Sequence, residues 1–164
     1  MRTFFIFLTF FIFLTGCASK NAFDEFNLTK EQQLSVSSLK SSKIISETGE
    51  TQGVFSAIYL NEVYPEMYNS DECFFVYTFI KDSKKEMYDP QSTTGTDLVL
   101  KMNSKLPVKL EVLSSKNKFS HLISTNSDWN RYYLVTFKKE QTINLILENG
   151  QSSSASLVYQ KDER

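Results

Sequence analysis

The sequence contains few of the residues from which catalytic and metal sites are usually built. His121 is the only histidine, and Cys17 and Cys73 are the only cysteines. A Ser-His-Asp triad would have to use His121, and a zinc site of the usual kind would need further His or Cys ligands. We therefore predict no enzyme, no metal and no cofactor, with His121 partly exposed on a strand.

Glycine is also scarce, and the net charge is small. The five glycines are too scattered for a glycine-rich phosphate loop, and no Gly-x-Ser-x-Gly motif is present. The chain has 18 basic and 19 acidic side chains. This balance argues against nucleic acid as a partner and against electrostatic adhesion to anionic lipid. Aromatic residues make up 14% of the chain, which is ample for a packed core and excludes a disordered chain.

The first residues have the pattern of a signal peptide. Arg2 gives a positive start and precedes an almost uninterrupted apolar run from Phe4 to Leu14. A run of this length is typical of a signal-peptide hydrophobic region. A membrane-spanning helix needs about 20 apolar residues, so this segment is predicted to direct export rather than to span the membrane.

The four residues at the end of this run, Leu14-Thr15-Gly16-Cys17, resemble the bacterial lipobox. In lipoproteins with this motif, signal peptidase cuts before a cysteine that already carries diacylglycerol. The resemblance implies a signal peptide over 1–16 and lipidation of Cys17. The stretch that follows is polar and has no sustained apolar period, so we interpret residues 17–38 as the lipidated N-terminus and a tether whose distal part can dock on the domain. Two or three acyl chains anchor a protein stably in a membrane. Ala18 is not the aspartate that retains lipoproteins at the inner membrane, so the outer membrane is expected; the alternative is ordinary cleavage after Ala18.

Beyond the tether, the hydrophobic pattern is that of β-strands. Residues 73–81 are apolar on both alternating sets, as in a central strand covered on each face, whereas residues 108–112 alternate cleanly and have one wet face. Asn149-Gly150 predicts a type I′ hairpin turn, and residues 103–105 predict another hairpin. We predict an all-β domain over 39–164: an immunoglobulin-like β-sandwich of seven to nine mostly antiparallel strands, with a small β-barrel as the alternative.

Little helix is expected in this chain. Thr29 and Gln32 have the spacing of a capping box, in which the side chain of each residue bonds to the backbone of the other. The pattern after Gln32 has no sustained apolar period, so we predict one short helical turn here.

The C-terminal half, from Thr96 onwards, resembles small bacterial surface lipoproteins with a variant immunoglobulin-like sandwich. The segments that carry the resemblance are Asp97–Leu100, Pro107–Glu111, Asp128–Val135 and Leu147–Gln151. The resemblance implies a fold and a cell-envelope location, and it contains no catalytic motif. The pair of cysteines found in antibody domains is absent, so membership of the classical immunoglobulin family is not supported.

Two loops, 61–72 and 87–96, carry side chains suited to binding. Carboxylate oxygens can bind calcium, and tyrosines on a loop make good recognition surfaces because they are large and have few rotamers. The acidic spacing matches no EF-hand, and a solvated acidic loop is the alternative. The candidate binding residues are Glu62, Tyr64, Glu66, Tyr68, Asp71, Glu72, Tyr88 and Asp89.

A few further residues have predicted roles. Cys73 is expected to be a buried core thiol, with an intermolecular disulfide as the alternative. Trp129 is expected to pack in the core or at its rim, with its indole N–H bonded to backbone, and Tyr132 or Tyr133 to form a tyrosine corner. Asn27 lies in a segment, 25–29, that matches the acidic sequon of bacterial glycosylation systems, so it is a candidate glycosylation site.

Two functions remain after these exclusions. The first is a lipid-anchored, non-catalytic interaction or adhesion module that contacts another envelope or surface protein. The alternative is a small-ligand or calcium-binding lipoprotein that uses the 61–72 and 87–96 loops. We expect the first, because no convergent polar site is visible in the sequence.

Overall fold

The computed structural model of the chain describes residues 28–81, 87, 98–124 and 126–161. The signal peptide, Cys17, Asn27, Tyr88 and Asp89 lie outside the described residues, so their predicted roles stay predictions. In the described part of the chain, no helix is long and apolar enough to cross a membrane.

The described residues form mostly strands, with little helix. The helices are α1 (Lys30–Ser38) and α2 (Leu60–Val63), and a single 3₁₀ turn spans Ser120–Leu122. The strands are β1 (Lys40–Ser46), β2 (Thr51–Tyr59), β3 (Glu72–Ile80), β4 (Val99–Met102), β5 (Lys109–Leu113), β6 (Arg131–Phe137), β7 (Ile143–Glu148), β8 (Ser152–Ser154) and β9 (Leu157–Tyr159).

All nine strands belong to one hydrogen-bonded sheet. Its order is β4-β7-β8-β1-β2-β3-β6-β5, and β9 also pairs with β7. The pairs between these strands are antiparallel. The sheet curls into a half-barrel around its larger core. The predicted all-β class and antiparallel pairing are therefore confirmed. The structure has one feature in common with the alternative prediction of a small barrel, because both consist of a single curled sheet.

Strand β3 is buried on both faces, as its sequence predicts. Phe74 and Val76 point into the inner core enclosed by the curled sheet. Cys73 and Phe75, on the alternate set, belong to a second core on the outer face. Each Å² of apolar surface removed from water stabilises the fold by about 25 cal/mol, so a strand that buries both faces is a major source of stability. This explains why a domain without an internal disulfide can fold.

The outer core is covered by the two helices and the 3₁₀ turn. Its centre is an aromatic stack in which the ring of Phe75 lies 5.2 Å from that of Phe119 and 6.1 Å from that of Tyr132. The predicted capping box is present: Gln32 N–H donates to Thr29 Oγ1, and Thr29 N–H donates to Gln32 Oε1. However, α1 continues for nine residues rather than the single turn predicted.

Helix α1 packs on the domain through serine side chains. Because these residues are polar, the sequence shows no apolar periodicity that would predict a helix here. Ser35 and Ser38 are buried. Ser35 Oγ lies 2.8 Å from the carbonyl oxygens of both Leu122 and Gln32, which share its one hydrogen, and Ser38 Oγ accepts from Tyr59 N–H at 3.1 Å. The distal part of the predicted tether therefore lies on the domain, held by hydrogen bonds between buried groups.

Two turns show how the backbone reverses. The hairpin predicted at Asn149-Gly150 joins β7 and β8, but neither residue has a positive φ, so the type I′ prediction is wrong. Instead, Asn149 Oδ1 accepts from the N–H groups of Gln151 and Ser152 at 2.9 and 2.7 Å, which is an Asx-type turn. Positive φ values occur at Asn103 and Ser104, 49° and 65°, in the hairpin predicted after β4.

Candidate functional site

The loop between β2 and β3 contains most of the predicted binding residues, and Asn61 closes it at its base. Asn61 Nδ2 donates to the Asp71 carbonyl at 2.7 Å, and Asn61 Oδ1 accepts from Cys73 N–H at 2.9 Å. One side chain thus ties the beginning of the loop to its end. The loop is consequently held as a compact unit on the sheet.

One face of this loop forms the wall of a cleft of about 680 Å³. Three predicted residues, Glu62, Tyr68 and Glu72, line it. The opposite wall comes from the segment after β6 and from Lys161, two residues after β9. The lining residues are Tyr59, Asn61, Glu62, Pro65, Tyr68, Asn69, Glu72, Lys139, Gln141 and Lys161.

The cleft has a buried ion pair at its floor. Glu72 is only 1% exposed, and its carboxylate accepts hydrogen bonds from Tyr59 Oη at 2.5 Å, from Glu140 N–H at 3.1 Å and from the Lys161 ammonium. Burial, together with the hydrogen bond to the Glu72 carboxylate, raises the pKa of Tyr59 well above its usual value of 10. The carboxylate is therefore fully engaged in holding the C-terminal segment against β2 and β3.

The other face of the loop forms a second cleft, of about 420 Å³, against α1. Tyr64 and Glu66 line this cleft, together with Leu34 and the exposed Met67. Glu62 lines both clefts, and the other predicted binding residues of the loop that line a cleft are divided between the two surfaces. Asp71 lines neither of the two clefts, and its carbonyl is bonded to Asn61.

His121 lies in the 3₁₀ turn, so its predicted place on a strand is wrong. It is exposed, and its Nε2 lies 2.8 Å from Tyr64 Oη. Partial burial raises the pKa of Tyr64. The backbone carbonyl of His121 accepts from Gln32 Nε2 at 3.1 Å. His121 therefore joins the 3₁₀ turn to the 61–72 loop and to α1.

The described residues contain no group of three or more His, Cys, Asp or Glu side chains that could hold a metal ion. Within the 61–72 loop, Glu72 is paired with Lys161, which removes one of the oxygen ligands on which the calcium alternative depended. Cys73 is 7% exposed, and burial raises the pKa of its thiol. The buried position predicted for Cys73 is confirmed.

Trp129 is 82% exposed, so the prediction that it packs in the core or at its rim is wrong. It stands at the tip of a turn that precedes β6, outside the alternation that begins at Arg131. Tyr132 is 1% exposed and bonds to the backbone of this turn. Its Oη accepts a hydrogen bond from Ser127 N–H and donates one to the Ser127 carbonyl, each at 2.9 Å. The tyrosine-corner prediction is confirmed at Tyr132.

Two more apolar side chains are exposed at the same end of the sheet as Trp129. Val54 and Phe79 are directly opposite each other on β2 and β3 and are 38% and 43% exposed. The last register pair between β3 and β6 is Thr78 with Arg131, which puts Phe79 and Trp129 one and two residues beyond it. We call Val54, Phe79 and Trp129 the Trp129 surface.

The described residues thus offer two kinds of recognition surface, a polar cleft and an exposed tryptophan on a hydrogen-bonded turn. Sequence reasoning missed Lys139, Gln141 and Lys161 in the cleft, because they come from distant segments that carry no local motif. In comparisons with known proteins, no family model matches this chain, and neither does any curated protein or solved structure.

Proposed function

We propose that this chain is a lipid-anchored cell-envelope protein whose β-rich domain is a non-catalytic interaction module. The signal-peptide pattern and the lipobox-like Leu14–Cys17 support export and anchoring through acyl chains on Cys17. Ala18 supports the outer membrane as the location, and the resemblance to small surface lipoproteins supports an immunoglobulin-like relationship. The partner is another envelope or surface protein.

The exposure of Trp129 is the observation that carries the interaction role. Tryptophan is among the residues most enriched at the energetic centres of protein interfaces. An 82% exposed indole leaves a large apolar area in water, an arrangement that binding to a partner would relieve. The backbone of the turn is held by hydrogen bonds, since Trp129 N–H donates to Ser127 Oγ and Tyr132 Oη bonds both backbone groups of Ser127. Less backbone conformational entropy is lost on binding when a loop is already held in place.

Photo-crosslinking in the native envelope tests this proposal. A photoreactive residue at position 129 of the full chain is expected to give an adduct with one protein, and Trp129→Ala should abolish co-purification of that protein. Val158 is a matched control, because it is 51% exposed on β9, far along the sheet from Trp129. Equal adducts from positions 129 and 158 would contradict the proposal.

A second candidate function is small-ligand binding in the 680 Å³ cleft. Its volume is within the range of ligand sites, which are concave and carry a few well-placed polar groups. Here those groups are the Glu62 carboxylate, the Lys139 ammonium and the Gln141 amide. The ligand would be a small polar molecule or glycan that spans both walls.

Calorimetry separates the two functions. The full chain in detergent is titrated with calcium, with peptides and with soluble glycans. Tight binding that is lost in Lys139→Ala and kept in Lys101→Ala would favour the cleft over the Trp129 surface, because Lys101 lies on the distant strand β4. No heat with any of these ligands is the result that the interaction module predicts.

A further inference from the structure

Strand β5 is at one end of the sheet order, and the described residues place no strand on its second side. An edge strand of this kind presents backbone donors and acceptors that can pair with another extended chain. The side chains along this edge are also poorly covered. Val112 is 69% exposed and Val108, just before the strand, is 42% exposed, whereas Leu110 between them is buried.

The side chains of β5 are divided by chemistry between the two faces of the sheet. Leu110 belongs to the inner core, so Val108 and Val112 share its inner face by strand alternation. Lys109 and Glu111 lie on the outer face, where their side chains are 57% and 40% exposed and form an ion pair with each other.

The sequence from Val108 to Val112 is self-complementary about Leu110. If two copies of β5 pair antiparallel with Leu110 opposite Leu110, each Lys109 faces Glu111 of the second copy, and each Val108 faces Val112. Opposite charges and apolar side chains that face each other across an antiparallel pair are stabilising. Both sets of contacts occur twice, as a twofold interface requires.

Neighbouring registers are worse for definite reasons. A pair centred on Glu111 would place two carboxylates opposite each other, and a pair centred on Lys109 would place two ammonium groups opposite each other. A slip of one residue would put the apolar face of one copy against the charged face of the other. The other terminal strand, β4, lacks this complementarity, since it contains Lys101 and no acidic residue that could face this lysine in a second copy.

We propose that two copies of this chain associate through β5 in an antiparallel pair centred on Leu110, so that the sheet continues from one copy into the next. The partner at this edge is a second copy of the chain. The Trp129 surface is not part of this pair, so the dimer and the proposed interaction role can be tested separately.

Disulfide crosslinking of the full chain in its membrane tests the register. In the double variant Val108→Cys with Val112→Cys, the two new thiols of one copy are about 13 Å apart along the strand, too far for a disulfide within the copy. When the strand pairs with a second copy, the thiol at position 108 of one copy lies opposite the thiol at position 112 of the other. We expect oxidation to yield a covalent dimer in the double variant and little in either single variant. Equal yields in the double variant and the Val112→Cys variant would overturn this register, and a disulfide adduct with a different protein would overturn the second copy as partner.

Charge reversal tests the complementarity by sedimentation of the full chain in detergent. Lys109→Glu and Glu111→Lys each put like charges face to face, so each variant alone should dimerise at least about tenfold more weakly than the unchanged chain. An equimolar mixture should restore dimers, because the acidic edge of one variant faces the basic edge of the other. Both side chains are exposed, and circular dichroism checks that the fold is kept. An unchanged chain that stays monomeric at every concentration, or a mixture no better than its components, would overturn the proposal.

Discussion

At the scale of single residues, the Glu72–Lys161 pair is a contact that we expect to be sensitive to substitution. Glu72 is 1% exposed and the Lys161 side chain 23% exposed, so loss of the ammonium leaves a buried carboxylate without its cation. Breaking a buried pair on one side costs about 3 kcal/mol or more. We expect Lys161→Met to lower the free energy of unfolding by about 3 kcal/mol in urea denaturation.

The matched control for this prediction is Lys101→Met. Lys101 forms an ion pair with Glu148 in which both side chains are about one third exposed. Exposed pairs contribute at most about 1 kcal/mol, so this variant should unfold almost like the unchanged chain. Similar losses in the two variants would show that the Glu72 pair is not buried in solution.

Two buried tyrosines set the alkaline limit of the fold. Burial raises the pKa of Tyr159 and, together with the Glu72 carboxylate, that of Tyr59. A group whose pKa is higher in the folded state binds its proton more tightly there, so its stabilising contribution is complete below pH 10 and is lost as the pH rises above 10. We expect cooperative unfolding above pH 10, with tyrosinate absorbance from these residues appearing only as the chain unfolds. Full ionisation of all tyrosines before the loss of β-sheet circular dichroism would refute this.

At the scale of elements, α1 depends on its buried serines. The Ser35 hydroxyl is shared between the Leu122 carbonyl across the helix–turn contact and the Gln32 carbonyl within α1, and loss of a buried hydrogen bond costs about 1 kcal/mol or more. Ser35→Ala is therefore expected to lower stability by about 1 kcal/mol in thermal unfolding and to increase amide exchange in α1.

Ser37→Ala is the control on the same helix. Ser37 is exposed, and its Oγ donates only to the Leu34 carbonyl within α1. Alanine has the higher helix propensity, so this variant should be equally or slightly more stable. A larger loss from Ser37→Ala than from Ser35→Ala would mean that α1 does not dock as the structure shows.

At the scale of the whole molecule, the lipid on Cys17 is predicted to hold the domain in the envelope. Cys17→Ser removes the thiol that would become the thioether, so acylation and maturation should both be lost. Metabolic labelling with an acyl analogue measures the first, and the apparent mass on a gel measures the second. Label that persists on the serine variant would contradict lipidation at Cys17.

Much of the sheet could be predicted from the sequence, because alternation is a local property of a strand. Residues 143–147 alternate and form a strand with one buried set. Residues 108–112 also alternate and form most of β5, but Leu110 is the one member of their apolar set that is buried. The run at 73–81 is apolar on both sets, and β3 packs against a core on each face. The turns at 103–105 and 149–150 and the capping box also follow from neighbouring residues, since the groups that bond are at most a few positions apart. The hairpin that residues 139–141 suggest does not form, because β6 and β7 do not pair.

Only the tertiary structure decided how the sheet curls and which distant groups meet. β1 has a bulge between Ile44 and Ile45, and a side chain at Gly53, opposite Ile44, would overlap the carbonyl of Phe79. No periodicity in the sequence indicates that Lys161 would reach Glu72, 89 positions away. Such contacts depend on strand order, which local propensity does not encode.

Trp129 shows the same division within one turn. The residue types predicted a tyrosine corner at 132 or 133, because the tyrosine and the backbone it holds are five residues apart. The residue types could not predict the exposure of Trp129. A hydrophobic side chain is buried only where the fold provides a cavity for it, and this turn projects beyond the first residue of β6. The sequence by itself determined where the strands and their turns lie. The curl of the sheet decided which side chains are buried, which of them meet and which stay in water.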